Sequence, residues 1–266
     1  MLVASLAYSP VHIPQTIRRL SRCLAVFGFL VISSPGCVSH ADRHRAEAVA
    51  VAQSREAQAG TKAFQKFLSA SDVIISHDPE VRDRVLRVFV RLVEAAKRSQ
   101  FGDLAKQLPW EHVVIRNDQK VTGLGFPGGK IALYTGLIAA TENDDQLAAA
   151  VGHLVAKVLT RHQAEDISKN FMKEAGEVES GVPSANTRKS EELEKAWRKT
   201  QREEADYVGM LLSADAGYDP RGAIALYKRL EGPDSPRAKK LEGRLPEAMA
   251  RFEAAKPGSP GSTDRR

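Results

Sequence analysis

An apolar stripe of helical period runs from Val81 to Ala96 and sets most of what this chain can become. Val81, Val85, Leu86, Val88, Phe89, Leu92, Val93 and Ala96 recur at three- and four-residue spacing, so a helix gathers them on a side that must be buried. Its start is marked by Asp78, an N-cap residue, and by Pro79, which suits the first helical position. The Gly102 and Pro109 region ends it. The period then changes. Trp110 to Arg116 is rich in β-formers, Asn117-Asp118 makes a turn, and Val121 to Phe126 predicts a second strand. Pro127-Gly128-Gly129 is a tight connection into a third, Lys130 to Tyr134, read as an edge strand. Helices then return. Asn143 caps one whose inward residues are Leu147, Ala150, Leu154 and Val158. Another runs from Thr187 to Ala216 and stops at Gly217-Tyr218-Asp219-Pro220. Ala223 to Leu230 and Lys239 to Ala254 complete the set. Helices, a small sheet, then helices define an α+β chain, mostly helical with a small mixed sheet.

With 266 residues, 42% of them hydrophobic, the chain can bury one full core. The net charge is +6, but Arg18, Arg19 and Arg22 supply three of those charges before any acid appears. No basic run is interleaved with aromatics, so nucleic acid is not an expected partner. Both cysteines, Cys23 and Cys37, lie near the N-terminus, which excludes a disulfide framework in the folded domain. Arg18 to Arg22 followed by the apolar run Leu24 to Ile32 reads as a secretory signal, too short to span a bilayer. Ser33-Ser34-Pro35-Gly36-Cys37 resembles a bacterial lipobox, with Ser34 where a leucine-like residue is usual. That resemblance implies lipidation at Cys37, and Val38 in place of an aspartate implies the outer membrane. The expected organisation is a signal over 1–36, a helical segment over 37–76 interrupted at Gly60, a main domain over 77–255 and a disordered tail over 256–266.

The chemistry-bearing stretch is Ala150-Val151-Gly152-His153-Leu154-Val155-Ala156-Lys157. It stands where a zinc metallopeptidase carries Gly-His-Glu-x-x-His on a helix, with two histidines on one side for the metal and a glutamate as general base. Three further blocks surround it in order: Phe126 to Leu137; Glu204-Ala205-Asp206-Tyr207-Val208-Gly209 with Ala216 to Pro220; and Leu245-Pro246-Glu247-Ala248. From about His77 to Phe252 the chain resembles the HtpX-like and CAAX-prenyl-protease-like zinc metallopeptidases, in their periplasmic lipoprotein branch.

The resemblance implies a zincin-like fold and a zinc cofactor, but the site residues depart from the pattern. Leu154 replaces the base and Lys157 the second ligand, and an ammonium has no lone pair to donate. The third ligand falls at Arg202, four before Asp206. Glu203 and Glu204 are each turned about 100° or more from that direction. The later Ser-Thr-His-Pro is reduced to Asp234-Ser235-Pro236. His153 and Asp206 remain, and in the family that aspartate orients that histidine. Lys157 and Arg202 are expected to pair with Asp206, Glu203 or Glu204, or to form a cationic pocket for a carboxylate. His162 is nine residues from His153 and cannot face the same ion; His112, on a strand, could approach.

The expected protein has no catalytic residue and no bound metal. It is an inactive member of the family in the bacterial envelope, lipid-anchored and facing the periplasm. It binds a polypeptide or envelope partner in a retained cleft. The resemblance implies that the peptide would lie along the strand Lys130, Ile131, Ala132, Leu133, Tyr134 by β-augmentation. Two other readings stand beside this one: an active zinc endopeptidase with unorthodox ligands, and a structural lipoprotein whose cleft is filled by side chains.

Overall fold

The computed structural model describes residues 40–161 and 186–256. The signal segment, Cys37, His162, the stretch 163–185 and the tail from 257 lie outside the described residues. Two compact units divide the chain, residues 1–49 and residues 50–266, and the second holds every element from the middle of the first helix onward. In chain order the elements are α1 (His40–Leu68), α2 (Pro79–Arg98), α3 (Gly102–Gln107), β1 (Glu111–Ile115), β2 (Gly123–Phe126), β3 (Lys130–Tyr134), α4 (Thr135–Ala139), α5 (Asp144–Leu159), α6 (Asn186–Asp215), α7 (Arg221–Glu231), α8 (Pro236–Glu242) and α9 (Leu245–Ala255). The class is α+β, helical for the most part, with one mixed sheet.

The start of α2 follows its sequence signal. Asp78 accepts from the backbone N–H groups of Glu80 and Val81, and Pro79 opens the helix. Val85, Val88, Phe89, Leu92 and Ala96 then enter one core with Leu147, Val151, Leu154 and Val155 of α5 and with Ile131 and Leu133 of β3. Leu86, counted in the stripe by sequence, is instead 45% exposed. Helix α5 is the hub: from Gln146 to Leu159 every residue is buried except His153 and Lys157. These two sit one turn apart, so they share one side of the helix.

Three sequence expectations change. The sheet order is β1-β3-β2, with β1 parallel and β2 antiparallel to β3, so Lys130, Ile131, Ala132, Leu133 and Tyr134 form the central strand and not an edge. Both hydrogen-bonding sides of β3 are taken and all five residues are buried, so β3 cannot accept a peptide. The outer side of β1 is covered by residues 74–76, where the Ser76 N–H bonds Val114 O at 2.8 Å and the Arg116 N–H bonds Ile74 O at 2.7 Å. Helix α1 is not interrupted at Gly60. A Cβ there would stand 2.0 Å from the Pro127 carbonyl oxygen, so this glycine lets α1 cross the β2–β3 turn. The last helix is two, α8 and α9, because Pro246 sits in the first turn of α9, where its missing N–H is harmless.

The backbones of α5 and α6 also approach closely. A Cβ on Gly152 would be 2.7 Å from Gly209 O, and a Cβ on Gly209 would be 2.6 Å from His153 N. Ser213, one turn after Gly209, donates to Ala148 O at 3.1 Å and continues the seam. Gly209→Ala is therefore expected to force the two backbones apart and to destabilise the domain by ~1–3 kcal/mol, read as a lower midpoint in urea unfolding.

Candidate functional site

The glycine seam decides which side chains meet. Gly152 immediately precedes His153, and Gly209 lies three residues beyond Asp206, so the close crossing brings these two together. Nδ1 of His153 is 2.7 Å from Oδ1 of Asp206. That separation is short enough for a hydrogen bond, yet Nδ1 has no partner with acceptable hydrogen-bond angles. The contact is thus a close polar approach with the ring N–H misaligned, and the His153 side chain stays 18% exposed.

Asp206 is the centre of the cluster. It is buried, with a 3% exposed side chain. Tyr227 of α7 donates its hydroxyl to Oδ1 at 2.7 Å. Arg237 of α8 approaches as a fork, with Nε donating to Oδ2 at 2.8 Å and Nη2 to Oδ1 at 2.5 Å. The guanidinium also lies over the Tyr227 ring at 3.7 Å and gives its third arm, Nη1, to Glu231 Oε1 at 3.2 Å. Glu231 is held in turn by the Ser235 hydroxyl at 2.6 Å, and Ser235 caps α8. One carboxylate therefore ties α5, α6, α7 and α8.

The electrostatics follow from burial and charge. Burial alone would raise the Asp206 pKa, but the Arg237 hydrogen bonds and the His153 contact outweigh it and hold the carboxyl at about 2. His153 is pushed below its ordinary value, first by burial and then by Arg237 and Lys157, with Asp206 pulling the other way. Burial likewise drives Tyr227 well above the usual phenol range, with the Asp206 charge adding to it. The site at neutral pH is thus a carboxylate, a guanidinium, a neutral phenol and a neutral imidazole.

The structure places the other sequence candidates as follows. Lys157 shares the side of His153. Leu154 points into the core and against the sheet, where a Cβ added to Gly123 of β2 would be 2.5 Å from its Cδ1. Arg202 is exposed, and Arg237, which sequence reading did not single out, pairs with Asp206. Glu203 pairs with Lys240. His112 packs on Phe89 with ring centres 4.7 Å apart. Sequence reading missed Arg237 and Tyr227. The only local hint was that Arg237 follows Ser235-Pro236, the remnant of a segment already aligned with the site.

A cavity of 510 Å³ opens between α6 and α8, lined by Thr200, Glu203, Tyr207, Lys240 and Arg244, with Asp206 and Arg237 also on its wall. A larger one of 1080 Å³, lined by Leu68, Ile75, Arg84, Arg116 and Thr135 among others, touches none of the cluster.

Residues 79–257 match the sequence model of Peptidase family M48. The chain belongs to that family. It is similar to the mitochondrial metalloendopeptidase OMA1 of Arabidopsis thaliana, 35% identical over 127 residues, which are 46% of this chain and 26% of that protein. It is also similar to OMA1 of Schizosaccharomyces pombe, 30% identical over 182 residues, 66% of this chain and 49% of that protein. With the beta-barrel assembly-enhancing protease of Escherichia coli O157:H7 it shares 23% identity over 195 residues, 66% of this chain and 37% of that protein. The chain thus spans a quarter to a half of the length of these relatives.

An M48 frame implies zinc, so the donor set can be tested against it. The three positions that the sequence resemblance assigns to the metal carry an imidazole, an ammonium and a guanidinium: His153, Lys157 and Arg202. Two of the three are cations without a lone pair to give. Among the described residues no three His, Cys, Asp or Glu side chains converge as a metal site would need. Of the side chains at those three positions, the imidazole of His153 is the one that can donate to zinc.

Acid should weaken the domain in two steps. His153 is held neutral in the fold while the unfolded chain takes up a proton below about pH 6.5, so its contribution is lost as pH falls through that region. Asp206 is held ionised down to about 2. Its contribution, on the order of 2 kcal/mol, is complete above about pH 4 and lost on falling to pH 2. In urea unfolding, the stability gap between wild type and Asp206→Asn should narrow between pH 4 and pH 2.

Proposed function

We propose that this chain is a catalytically inactive M48 member that binds polypeptide beside the former metal centre. The observation that carries the reading is the exchange of donors for cations at Lys157 and Arg202 around a retained His153–Asp206 pair. With Leu154 buried, no carboxylate stands where a general base would activate water.

Strand β2 is the support for polypeptide binding. It pairs with β3 on one side only within the three-stranded sheet, and it packs on α5 through Gly123 and Leu154. An extended peptide could add to that strand next to His153. The cavity at Lys240 and Arg244, with Asp206 on its wall, offers side-chain room beside the cluster. This replaces the role that sequence reading gave to β3. Lipidation at Cys37 and residence in the bacterial envelope belong to the same proposal. They rest on the lipobox resemblance and on similarity to the E. coli protease. No helix among the described residues is long and apolar enough to cross a membrane.

The purified protein should carry substoichiometric zinc, unchanged in His153→Ala, and should leave casein intact while binding it in the unfolded state. Stoichiometric zinc that disappears in His153→Ala, together with casein fragments, would establish an active peptidase instead. No affinity for unfolded casein would leave a structural protein with a filled cleft.

A further inference from the structure

We infer that the sheet has a peptide-binding edge away from the former metal centre, the strap of residues 74–76 outside β1. Its occupant is the C-terminal end of an extended polypeptide, with apolar last residues and a free carboxylate. The strap lies beyond β1 and β2 lies beyond β3, so the two are opposite edges of the sheet. The inference therefore does not depend on the reading of the His153 site.

Backbone directions open this edge. Ile75 pairs antiparallel with Ile115. The bonds that flank the pair run from the Ser76 N–H to Val114 O and from the Arg116 N–H to Ile74 O, and they leave Ile75 itself unbonded to β1. Hydrogen-bonded and non-bonded pairs alternate along an antiparallel ladder, so the N–H and C=O of Ile75 point outward. No described residue hydrogen-bonds either group. A strand laid antiparallel on the strap exchanges both bonds with them through one of its own residues. Ile74 and Ile75 are also 49% and 41% exposed. Large aliphatic side chains left open at a strand edge are a template for another chain.

Direction and charge name the occupant. The strap runs against β1, so a chain antiparallel to the strap runs with β1 and ends where β1 ends, at Ile115 and Arg116. Its last residues then lie beside the 1080 Å³ cavity, whose wall includes Leu68, Val73, Val81 and Ile138 with Ile75 and Arg116. Those walls suit apolar side chains. Other ions of the cavity are engaged: Asp78 caps α2, Arg84 is paired with Asp144 at 2.8 Å, and Asp118 accepts from the Thr135 hydroxyl at 2.5 Å. Arg116 is exposed and has no ion-pair partner among the described residues. A guanidinium takes a carboxylate through two parallel N–H donors, and an extended chain brings one such group to its own end. A fatty-acid carboxylate would suit the same walls and the same arginine, but it has nothing to give the N–H and C=O of Ile75. The open backbone favours a peptide.

The test titrates the full chain against a fluorescein-labelled peptide, Ser-Val-Leu-Val-Leu, by anisotropy, once with a free carboxylate and once amidated. The free acid is expected to bind at least about tenfold more tightly, and Arg116→Gln to bind both forms as weakly as the amide. Methylating alternate backbone nitrogens of the peptide gives two series. One is expected to lose binding and the other to keep it, because only every second residue of a strand bonds its neighbour. Ile75→Pro removes the outward N–H and neither bond to β1, so it is expected to weaken the free acid at least about tenfold. Urea unfolding checks that this variant is folded, and where it is not, the methylated peptides decide alone. Equal affinity of acid and amide, a preference that survives Arg116→Gln, or indifference to methylation in both series would overturn the inference. Dodecanoate bound through Arg116 with no peptide affinity would make the cavity a fatty-acid site and overturn it as well. Casein binding at β2 stands or falls separately, since Ile75→Pro leaves that edge unchanged.

Discussion

The structure depends on the contact between two glycines. Where α5 crosses α6, Gly152 and Gly209 lie back to back with no room for a Cβ on either. The contact sits in the middle of the hub helix, which is buried on almost every side. The contact is also a positioning device. It fixes the spacing of His153 and Asp206, the neighbours of those glycines in sequence, to hydrogen-bond distance. A pair of ordinary side chains at the crossing would separate the helices by ångströms and dissolve the cluster.

Bringing a carboxylate into such a seam creates an electrostatic demand, and the surrounding helices answer it. Tyr227 and Arg237 come from separate helices, α7 and α8, that also meet through the stack of Arg237 on Tyr227 and the Arg237–Glu231 pair. The result is a site assembled from four helices with one buried negative charge at its centre. The positive charge that meets this carboxylate is the Arg237 side chain. The packing of α2, α5 and the sheet is apolar and does not involve His153, Lys157 or Arg202.

The neighbourhood of the cluster bears on recognition. Leu154 turns into the core and touches the outer strand β2, so the floor between helix and sheet is apolar there. A cavity remains open on the α8 side, with Lys240 held by Glu203 and Arg244 over the Tyr207 ring. Binding and catalysis make different demands on such a surface. An extended chain needs an unpaired strand edge and pockets, and neither requires a metal.

By itself the sequence determined the elements. The Asp78-Pro79 start of α2, the Asn143 cap of α5 and the three strands are local signals, carried by capping and by period, and they appear where those signals stand. The expectation of a replaced base and ligands rests on the identities of Leu154, Lys157 and Arg202, which need no coordinates. Tertiary structure decided the rest. Strand order is a non-local choice, so nothing within Lys130 to Tyr134 marked it as central instead of edge. Gly60 read as a break because its neighbour across space, Pro127, is invisible along the chain. Arg237 lies 31 residues beyond Asp206, and only the folding back of α8 onto α6 sets its guanidinium on that carboxylate. Charge compensation acts through space, so the identity of the compensating cation could come only from the fold.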